Sequence, residues 1–254
     1  MYRHQDELLA ATGEAEADHF WFRGFRRFLT PVLERATSGV TGVRLLDCGC
    51  GTGANLEWLS RYGRTAGIDY TFSGLTAGRR LGRRGLAQAD AARLPFPAAT
   101  FDVVASFDML QVLPDRLECD ALGEMARVLK PGGALVLNVA AMAVLHGDHA
   151  LLSEEARRYS RGELAVKLAS AGLSVERMTH TNASLFPLML VTRALQRLRG
   201  AKAGPSDIAV PPAPINAALS GLLAVEARLV SKVTLPVGSS IVCLARKAAA
   251  GQRA

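Results

Sequence analysis

Short apolar runs alternate with amphipathic segments along most of the chain. Each run is bounded by Gly, Pro or an acidic residue and is too short for a core helix, so it is typical of a strand covered on both faces. Strands joined by helices predict an α/β fold with a parallel, doubly wound sheet. The Lys-Pro-Gly-Gly sequence at 130–133 predicts a turn before the fifth strand. The strands are predicted at 43–48, 65–69, 85–90, 101–107, 134–139, 173–177 and 239–247.

Two regions lack this alternation. The N-terminal region is predicted to be helical, and Pro31 predicts a break or kink near Thr30 because proline removes a helical hydrogen bond. The region before the last strand contains two apolar, amphipathic segments, separated by a Pro- and Gly-rich stretch that predicts a linker or long loop. We expect an N-terminal helical cap, a ligand-binding core, a helical insert, and a final strand with a frayed tail, at 1–40, 41–180, 181–236 and 237–254.

A glycine-rich turn follows the first predicted strand. Asp47 ends that strand, and Gly49, Gly51 and Gly53 come after it. Glycine is used where the backbone needs a positive φ or approaches a ligand closely. Gly49, Gly51 and Ala54 match part of the dinucleotide fingerprint, in which a pyrophosphate lies at a helix N-terminus. A carboxylate beside the turn would instead repel a pyrophosphate and attract an ammonium group, so the turn by itself leaves two ligands open.

Two more predicted strands also end in an acid, Asp69 and Asp90. The carboxyl ends of parallel strands meet at one edge of the sheet, where open α/β sheets bind ligands. Asp69 lies where a carboxylate can accept hydrogen bonds from ribose hydroxyls, and Asp90 lies where one can accept from an exocyclic amine. With Asp47 beside a charged amine, the three acids predict a site for an adenosine that carries an amino acid tail.

Several motifs, in this order along the chain, resemble those of the class I S-adenosylmethionine-dependent methyltransferases. The resemblance covers about residues 40–180 and the last strand. It implies a Rossmann-like sheet of seven strands, mostly parallel with the last antiparallel, S-adenosyl-L-methionine as cofactor, and methyl transfer as the activity. The motifs are Leu46-Asp47-Cys48-Gly49-Cys50-Gly51-Thr52-Gly53, Gly67-Ile68-Asp69, Gln88-Ala89-Asp90-Ala91, Leu94-Pro95-Phe96, Phe101-Asp102-Val103-Val104 and 127–133.

The resemblance also assigns residues to the cofactor. In the family the glycine turn holds the methionine part, and the acids after the second and third strands face the ribose and the adenine. The segment at 19–23 looks like the N-terminal segment of a subgroup of bacterial small-molecule methyltransferases, which folds over the cofactor; Trp21 and Arg23 would then close the pocket, Arg23 on the cofactor carboxylate. Packing of this aromatic segment onto the core is the equally weighted alternative. The other residues carried over are Asp47, Gly49, Cys50, Gly51, Gly53, Asp69, Tyr70, Asp90, Ala91 and Phe107.

The chain departs from the family on the acceptor side. Many relatives have Glu-His after the fourth strand, where this chain has Gln111 and Val112, so a base in that position is absent. Methyl transfer needs a base only if the nucleophile must lose a proton, and alignment of nucleophile and methyl group supplies much of the rate. We therefore predict a mechanism dominated by proximity, with His149 as the candidate base. The candidate acceptor contacts are Asp108, Gln111, Glu155, Arg158 and Tyr159.

The composition narrows the partners. The net charge is +7, but the arginines are scattered without interleaved aromatic residues, so nucleic acid binding is not predicted. The cysteines and histidines lack zinc spacing, so no metal is expected, and the four separated cysteines predict free thiols in a reducing cytoplasm. The acidic N-terminus predicts no signal peptide, and the apolar runs are shorter than the ~20 residues that span a bilayer.

The insert at 181–236 allows three roles, which are a lid over the acceptor, the face of a homodimer and a peripheral contact with a membrane. Packing as a lid is favoured over the other two. The main hypothesis is a cytoplasmic enzyme that methylates a small molecule, and the apolar insert suggests an apolar or lipid-like one. The alternatives are a protein of the same fold that binds the cofactor and guides a non-methylating reaction, and a nicotinamide-dependent oxidoreductase.

Overall fold

The computed structural model describes residues 18–145, 155–199, 210–249 and 251. The strands are β1 (Arg44–Cys48), β2 (Arg64–Asp69), β3 (Leu86–Gln88), β4 (Phe101–Phe107), β5 (Leu129–Ala140), β6 (Leu173–Thr181) and β7 (Ser240–Lys247). The α-helices are α1 (Phe20–Thr37), α2 (Leu56–Leu59), α3 (Phe72–Arg80), α4 (Asp115–Val128), α5 (Arg161–Ser170), α6 (Phe186–Arg199) and α7 (Ala213–Val230), and short 3-10 turns lie at Leu110–Val112 and Ala143–Leu145.

The described strands form one seven-stranded sheet in the order β3-β2-β1-β4-β5-β7-β6. Strands β1 to β5 pair in parallel, and β7 runs antiparallel to both β5 and β6. The strand order reverses between β1 and β4, and a ligand site in an open α/β sheet lies at such a switch point. The predicted fold class, a Rossmann-like sheet with an antiparallel last strand, is confirmed.

Helices cover the two faces of the sheet with separate apolar clusters. Along β1, Leu46 packs with the cluster that contains α4 and α5, while Leu45 packs with the cluster that contains α1 and α7. Successive side chains of a strand point to opposite faces, so one apolar run supplies both clusters. Both leucines are fully buried, which explains why the strands are continuous apolar runs rather than alternating ones.

The turn predicted at 130–133 lies inside a strand. Phe101 pairs with Leu129, and two residues later Val103 pairs with Ala134, so β5 carries extra residues that have no partner in β4. Gly132 has a φ of +75° within this enlarged bulge, and bulges use glycine where the backbone leaves the ladder. The prediction was right about the irregular backbone and wrong about its place between elements.

The break predicted near Thr30 does not occur, because α1 runs unbroken through Pro31. The Thr30 hydroxyl donates to the Arg26 carbonyl at 2.8 Å, one turn before the proline. Phe28 and Leu29 on one side of Pro31 and Leu33 on the other are buried against the sheet. Tertiary packing of the apolar face therefore outweighs the lost backbone hydrogen bond.

Helix α7 is apolar enough, by length and composition, to cross a bilayer, and among the described helices it is the one that meets this test. Its mean hydropathy is 1.3, and 28% of it is buried against the rest of the protein. The buried positions pack mainly on α1 and include Leu223, Ala227 and Val230. Gly24 of α1 allows this packing, because a Cβ there would lie 2.4 Å from Leu223 Cδ1.

Candidate functional site

The turn after β1 has the left-handed backbone that its glycines predict. The φ angles of Gly49, Gly51 and Gly53 are +85°, +54° and +78°. The backbone N–H groups of Gly49 and Cys50 both donate to the Ile68 carbonyl at 2.9 Å, which ties the turn to β2. A Cβ on Gly49 would lie 2.5 Å from Met109 Cγ, so position 49 requires glycine for both conformation and space.

Asp47 lies near the end of β1, two residues before the first glycine of this turn. It is 1% exposed, and neither carboxylate oxygen has a hydrogen-bond partner among the described residues. Burial, together with the negative charge of Asp69, raises the pKa of Asp47 to about 7. A buried carboxylate without a partner is destabilising, and a cationic group beside it would remove that cost. The geometry therefore fits an ammonium group at the glycine turn.

Asp69 fixes the other side of the turn. Its Oδ2 accepts from the Gly51 N–H at 2.7 Å, and its Oδ1 accepts from the Thr71 N–H at 2.8 Å. The Thr71 hydroxyl also donates to Oδ1. A carboxylate has about four lone-pair sites, so Asp69 holds the turn and keeps about one site, on Oδ2, for a ribose hydroxyl. The order of β1, β2 and β3 in the sheet places Asp47, Asp69 and Asp90 at one edge.

Asp90 lies at the open end of this row. It is exposed, and its Oδ1 accepts from the Ala92 N–H at 2.8 Å, while Ala91 between them is half-buried. Tyr70, directly after β2, is 64% exposed. The predicted adenosine contacts are thus brought to the edge of the sheet where the chain is open to solvent.

The predicted lid is part of α1. The His19 side chain caps this helix by accepting from the Trp21 N–H at 3.1 Å, and Arg23 one turn later is exposed. Helix α1 also reaches the glycine turn, where the Arg26 side chain donates to Asn55 Oδ1 and to the Ala54 carbonyl at 3.4 Å. Helix α1 therefore packs on the core and borders the turn through Arg26, and the closing role of Trp21 and Arg23 stays a prediction.

Phe107 connects α1 to the cofactor side. It ends β4 next to β1, and its ring meets Phe25 of α1 edge to face at 5.2 Å between ring centres. Trp58 of α2 lies 6.3 Å from Phe107, which completes a three-ring group at the switch point of the sheet. Aromatic pairs of this geometry are stabilising beyond their burial, so the wall between the two sides of the site is well fixed.

A small cavity lies between α1 and the carboxyl edge of the sheet. Its apolar wall comes from α1, and its polar wall comes from the ends of β5 and β6 and the start of β7. Asn182 in the polar wall has a φ of +60°, a conformation that asparagine tolerates better than most residues. The lining residues are Trp21, Phe25, Phe28, Asn138, Thr181, Asn182 and Ser240.

Asp108 lies beside this cavity and is held by two amides. Asn138 Nδ2 donates to both carboxylate oxygens at 3.0 Å, and Gln111 Nε2 donates to Oδ1 at 3.1 Å. Protein atoms crowd the carboxylate although part of the residue is exposed, and this burial raises the pKa of Asp108 to about 6, against the lowering effect of the amides. The φ of Asp108 is +56°, so its backbone is strained as well.

Asn138 was not among the residues predicted from sequence. It interrupts the apolar run at the carboxyl end of β5 and is 4% exposed. A buried amide in the middle of an apolar strand is costly unless it has a partner. An isolated amide in an apolar strand therefore indicates a buried partner, and in the structure this partner is Asp108.

The predicted acceptor contacts on the segment after residue 154 separate in space. Arg158 and Glu155 form an ion pair at 2.8 Å, and Arg158 Nη1 donates to the Ala141 carbonyl at 3.2 Å. Both side chains act on Asp108: the negative charge of Glu155 raises its pKa, and the positive charge of Arg158 lowers it. The Gln111 carbonyl accepts from the Ala156 N–H at 2.8 Å, which anchors the segment to the turn after β4.

Tyr159 is not brought to this group, so the structure does not support its prediction as an acceptor contact. Its ring is 2% exposed in the cluster with α4 and α5, and its hydroxyl donates to Glu118 Oε1 at 2.7 Å. Glu118 also accepts from Lys167 at 2.8 Å. The physical reason is burial, because the phenol satisfies a carboxylate inside the core. His149, the candidate base, lies outside the described residues.

Three polar residues on the inward face of α7 hold the elements around the cavity, and we call Asn216, Ser220 and Glu226 the α7 clamp. Asn216 accepts from the Phe20 N–H and donates to the Asp18 carbonyl, both at 2.8 Å, and so fixes the start of α1. The Ser220 carbonyl accepts from Arg27 Nη1 at 2.7 Å. The clamp was missed from sequence because its partners are distant along the chain.

Glu226 completes the clamp at the other end of the helix. Its carboxylate accepts from the backbone N–H groups of Ala183 and Ser184 at 2.8 and 2.9 Å, directly after the cavity residue Asn182. Glu226 is 6% exposed, and backbone donors satisfy a buried carboxylate. Helix α7 therefore fixes both walls of the cavity without contributing a side chain to its lining.

Comparison with known proteins agrees with this geometry. Residues 46–137 match the family model described as a methyltransferase domain. A 27-O-demethylrifamycin SV methyltransferase of Amycolatopsis mediterranei is 30% identical over 200 residues, which cover 66% of this chain and 71% of that protein. A fatty-acid O-methyltransferase of Mycolicibacterium smegmatis is 39% identical over 106 residues, which cover 39% of this chain and 37% of that protein. Across the first curated relatives, the chain spans 37% to 61% of their length.

A solved structure shows the same fold. The Haemonchus contortus phosphoethanolamine N-methyltransferase 2 in complex with S-adenosyl-L-methionine superposes with a TM-score of 0.61 at 17% identity, over 97% of this chain and 59% of that one. The glycine turn and the three acids Asp47, Asp69 and Asp90 lie within the region that matches the family model. The chain belongs to the class I S-adenosylmethionine-dependent methyltransferases.

Proposed function

We propose that this protein transfers a methyl group from S-adenosyl-L-methionine to an apolar small molecule that binds at the carboxyl edge of the sheet, beside the small cavity beneath α1. The observation that carries the proposal is Asp47, a fully buried carboxylate whose two oxygens have no partner among the described residues. A cofactor with an ammonium group at the glycine turn satisfies that carboxylate. A pyrophosphate at the same turn would add negative charge to an unpaired anion, which argues against a nicotinamide cofactor.

The residues present fit the proposed cofactor. Asp47 would pair with its ammonium group, Asp69 would accept from a ribose hydroxyl, and Asp90 with Ala91 would face the adenine. Phe107 would form the wall between cofactor and acceptor. The cofactor, when bound, supplies an electrophilic methyl group on a sulfonium centre. The protein's part is then to hold an acceptor in line with that group and to exclude water, which can supply much of the rate.

The acceptor side suits an apolar molecule with one polar group. The cavity has an aromatic wall on α1 and a polar wall that ends at Asn138. Asn138 donates a hydrogen bond to Asp108, and the Asp108 pKa of about 6 leaves this carboxyl group mostly ionised at neutral pH. We assign Asp108 to accept the hydrogen bond of an acceptor hydroxyl or N–H, a role for which Val112 offers no substitute. The names of the two relatives above, with rifamycin-type and fatty-acid acceptors, support an apolar class.

The thiols support a reducing, cytoplasmic location. All four cysteines lie within the described residues and are free. Burial raises the pKa of Cys48, Cys50 and Cys243 well above the usual range, so these thiols stay protonated and unreactive. Cys50 in the turn therefore serves as a small apolar residue rather than as a nucleophile.

Calorimetric titration tests the cofactor assignment. S-adenosylmethionine should bind to the wild type, and the isosteric Asp47→Asn should weaken binding by at least about tenfold, because a charge pair becomes a neutral contact. NAD serves as the control ligand. Binding of NAD without binding of S-adenosylmethionine would overturn the proposal.

Transfer of a labelled methyl group distinguishes methyl transfer from the alternative, a non-methylating reaction in a protein that binds the same cofactor. Methyl-labelled cofactor incubated with a panel of apolar hydroxy and amino compounds should give a labelled product whose yield falls in Asp108→Asn. Cofactor binding without label transfer to any member of the panel, together with conversion of a compound that is not methylated, would favour the non-methylating alternative.

A further inference from the structure

The outward face of α7 is a stripe of large aliphatic residues. Its members recur at spacings of seven, three and four residues, so they lie along one side of the helix. Each is between 42% and 65% exposed. They are Ile215, Leu222, Val225 and Leu229, and two valines that follow the helix in sequence, Val233 and Val237, are exposed as well.

Helix α7 exposes large aliphatic residues in addition to those that it buries. A helix on a water-soluble surface carries polar residues opposite its apolar face, whereas α7 buries Leu223, Ala227 and Val230 beside the clamp and still exposes the aliphatic stripe. All three clamp residues are hydrogen-bonded either to α1 or to the residues between β6 and α6, so the helix is fixed lengthwise on the protein body. It does not span a bilayer in this arrangement, but its outer face is suited to burial against an apolar partner.

Two described cations, Arg228 and Lys232, lie at the C-terminal end of the stripe. Arg228 is the exposed charged residue of α7. Lys232, just after the end of the helix, is also exposed. An aliphatic stripe flanked by cations is the pattern that binds the interface of an anionic lipid bilayer.

We propose that the outer face of α7 docks this protein on an anionic lipid surface. The stripe would enter the boundary between headgroups and acyl chains, with Arg228 and Lys232 beside lipid phosphates. A second copy of the chain could also cover the stripe, but an α7-to-α7 contact would bring like charges together. Charge complementarity therefore selects the lipid. This docking does not depend on methyl transfer.

Vesicle flotation tests the docking with a matched pair of variants. Val225 on α7 and Val166 on α5 are both helical valines, 65% and 67% exposed, and they lie on opposite faces of the sheet. Wild-type protein should float with vesicles that contain phosphatidylglycerol and much less with phosphatidylcholine alone. Val225→Glu should lower the bound fraction by at least about tenfold, and Val166→Glu should leave it unchanged.

Two further measurements keep the test decisive. Calorimetric cofactor binding and circular dichroism, expected to be unchanged in both variants, show that each is folded and that loss of docking is separate from loss of the proposed function. Absence of wild-type binding to either vesicle, or equal losses in both variants, would overturn the proposal. A wild-type dimer that Val225→Glu dissociates, seen by analytical ultracentrifugation in the absence of lipid binding, would make a second copy the partner and the proposal wrong.

Discussion

The glycine turn and the cavity beneath α1 lie at the same edge of the sheet but are held together differently. The turn is local, since Gly49, Gly51 and Asp69 are fixed by β1, β2 and their immediate connection. The cavity depends on α7, whose Asn216 meets Phe20 at a separation of 196 residues. One side of the site can therefore keep its shape while the other changes its contacts.

The largest effect is expected on the glycine turn. Gly49→Ala forces a φ of +85° on a residue with a Cβ that would lie 2.5 Å from Met109 Cγ. We expect the free energy of unfolding to fall by about 3 kcal/mol, from strain plus overpacking, and cofactor binding to be lost. Chemical denaturation and calorimetry measure the two effects.

Gly39→Ala is the control for that substitution. Gly39 has a similar φ of +75°, but among the described residues no atom lies within 4 Å of a Cβ at this position. Strain alone should cost about 1 kcal/mol and leave cofactor binding unchanged. Equal losses of stability and binding in the two variants would contradict the claim that the turn needs space at position 49.

The next largest effect is expected at Asp108. Its pKa of about 6 predicts that the rate of methyl transfer rises with pH to a plateau, with a midpoint near 6, because the ionised carboxylate accepts the acceptor's proton. Asp108→Asn should lower the rate by about 100-fold and remove this pH dependence. A variant that keeps the wild-type pH profile would exclude Asp108 and return the assignment to His149.

A smaller effect is expected from the α7 clamp. Asn216→Ala removes two hydrogen bonds at the start of α1, so the free energy of unfolding should fall by about 1–2 kcal/mol. The KM for the acceptor should rise severalfold while the cofactor Kd stays the same. Asn216→Asp keeps the acceptor for the Phe20 N–H and should recover part of the loss. An equal change in cofactor Kd would show that the two sides are not held independently.

The same contrast explains what the sequence could predict. The acids and glycines of residues 47–90 act through backbone geometry within a few neighbouring elements, so spacing along the chain indicates their arrangement. Pro31 does not break α1, because packing of this helix on the sheet outweighs the local effect of proline. The prediction that Tyr159 contacts the acceptor failed because the position of a residue in a motif does not determine whether its side chain enters the core.

The cavity and the clamp could not be derived in this way. Asn138 and Asp108 form a hydrogen bond although they are 30 positions apart in sequence, and Glu226 and Ala183 do so at a separation of 43 positions. Such pairings follow from the path of helices over the sheet, which apolar periodicity alone does not determine. What the sequence did offer was a set of polar residues inside apolar elements, each of which needed a partner.

Asp47 also predicts how stability depends on pH. Its pKa is about 7 in the folded protein and near the ordinary value of 3.8 when the chain unfolds. The folded state therefore binds more protons between about pH 4 and 7, and stability falls as the pH rises through that range. Asp47→Asn should remove this loss, so that the cofactor-free variant is more stable than the wild type at pH 8.

The central claim is that Asp47 receives the ammonium group of S-adenosylmethionine. Titration of the cofactor at pH 7, in buffers that differ in their heat of ionisation, measures the protons released on binding. Because the cation lowers the pKa of Asp47, wild-type protein should release protons and Asp47→Asn should release fewer, with weaker binding. Equal affinity and equal proton release in the two proteins would contradict the account.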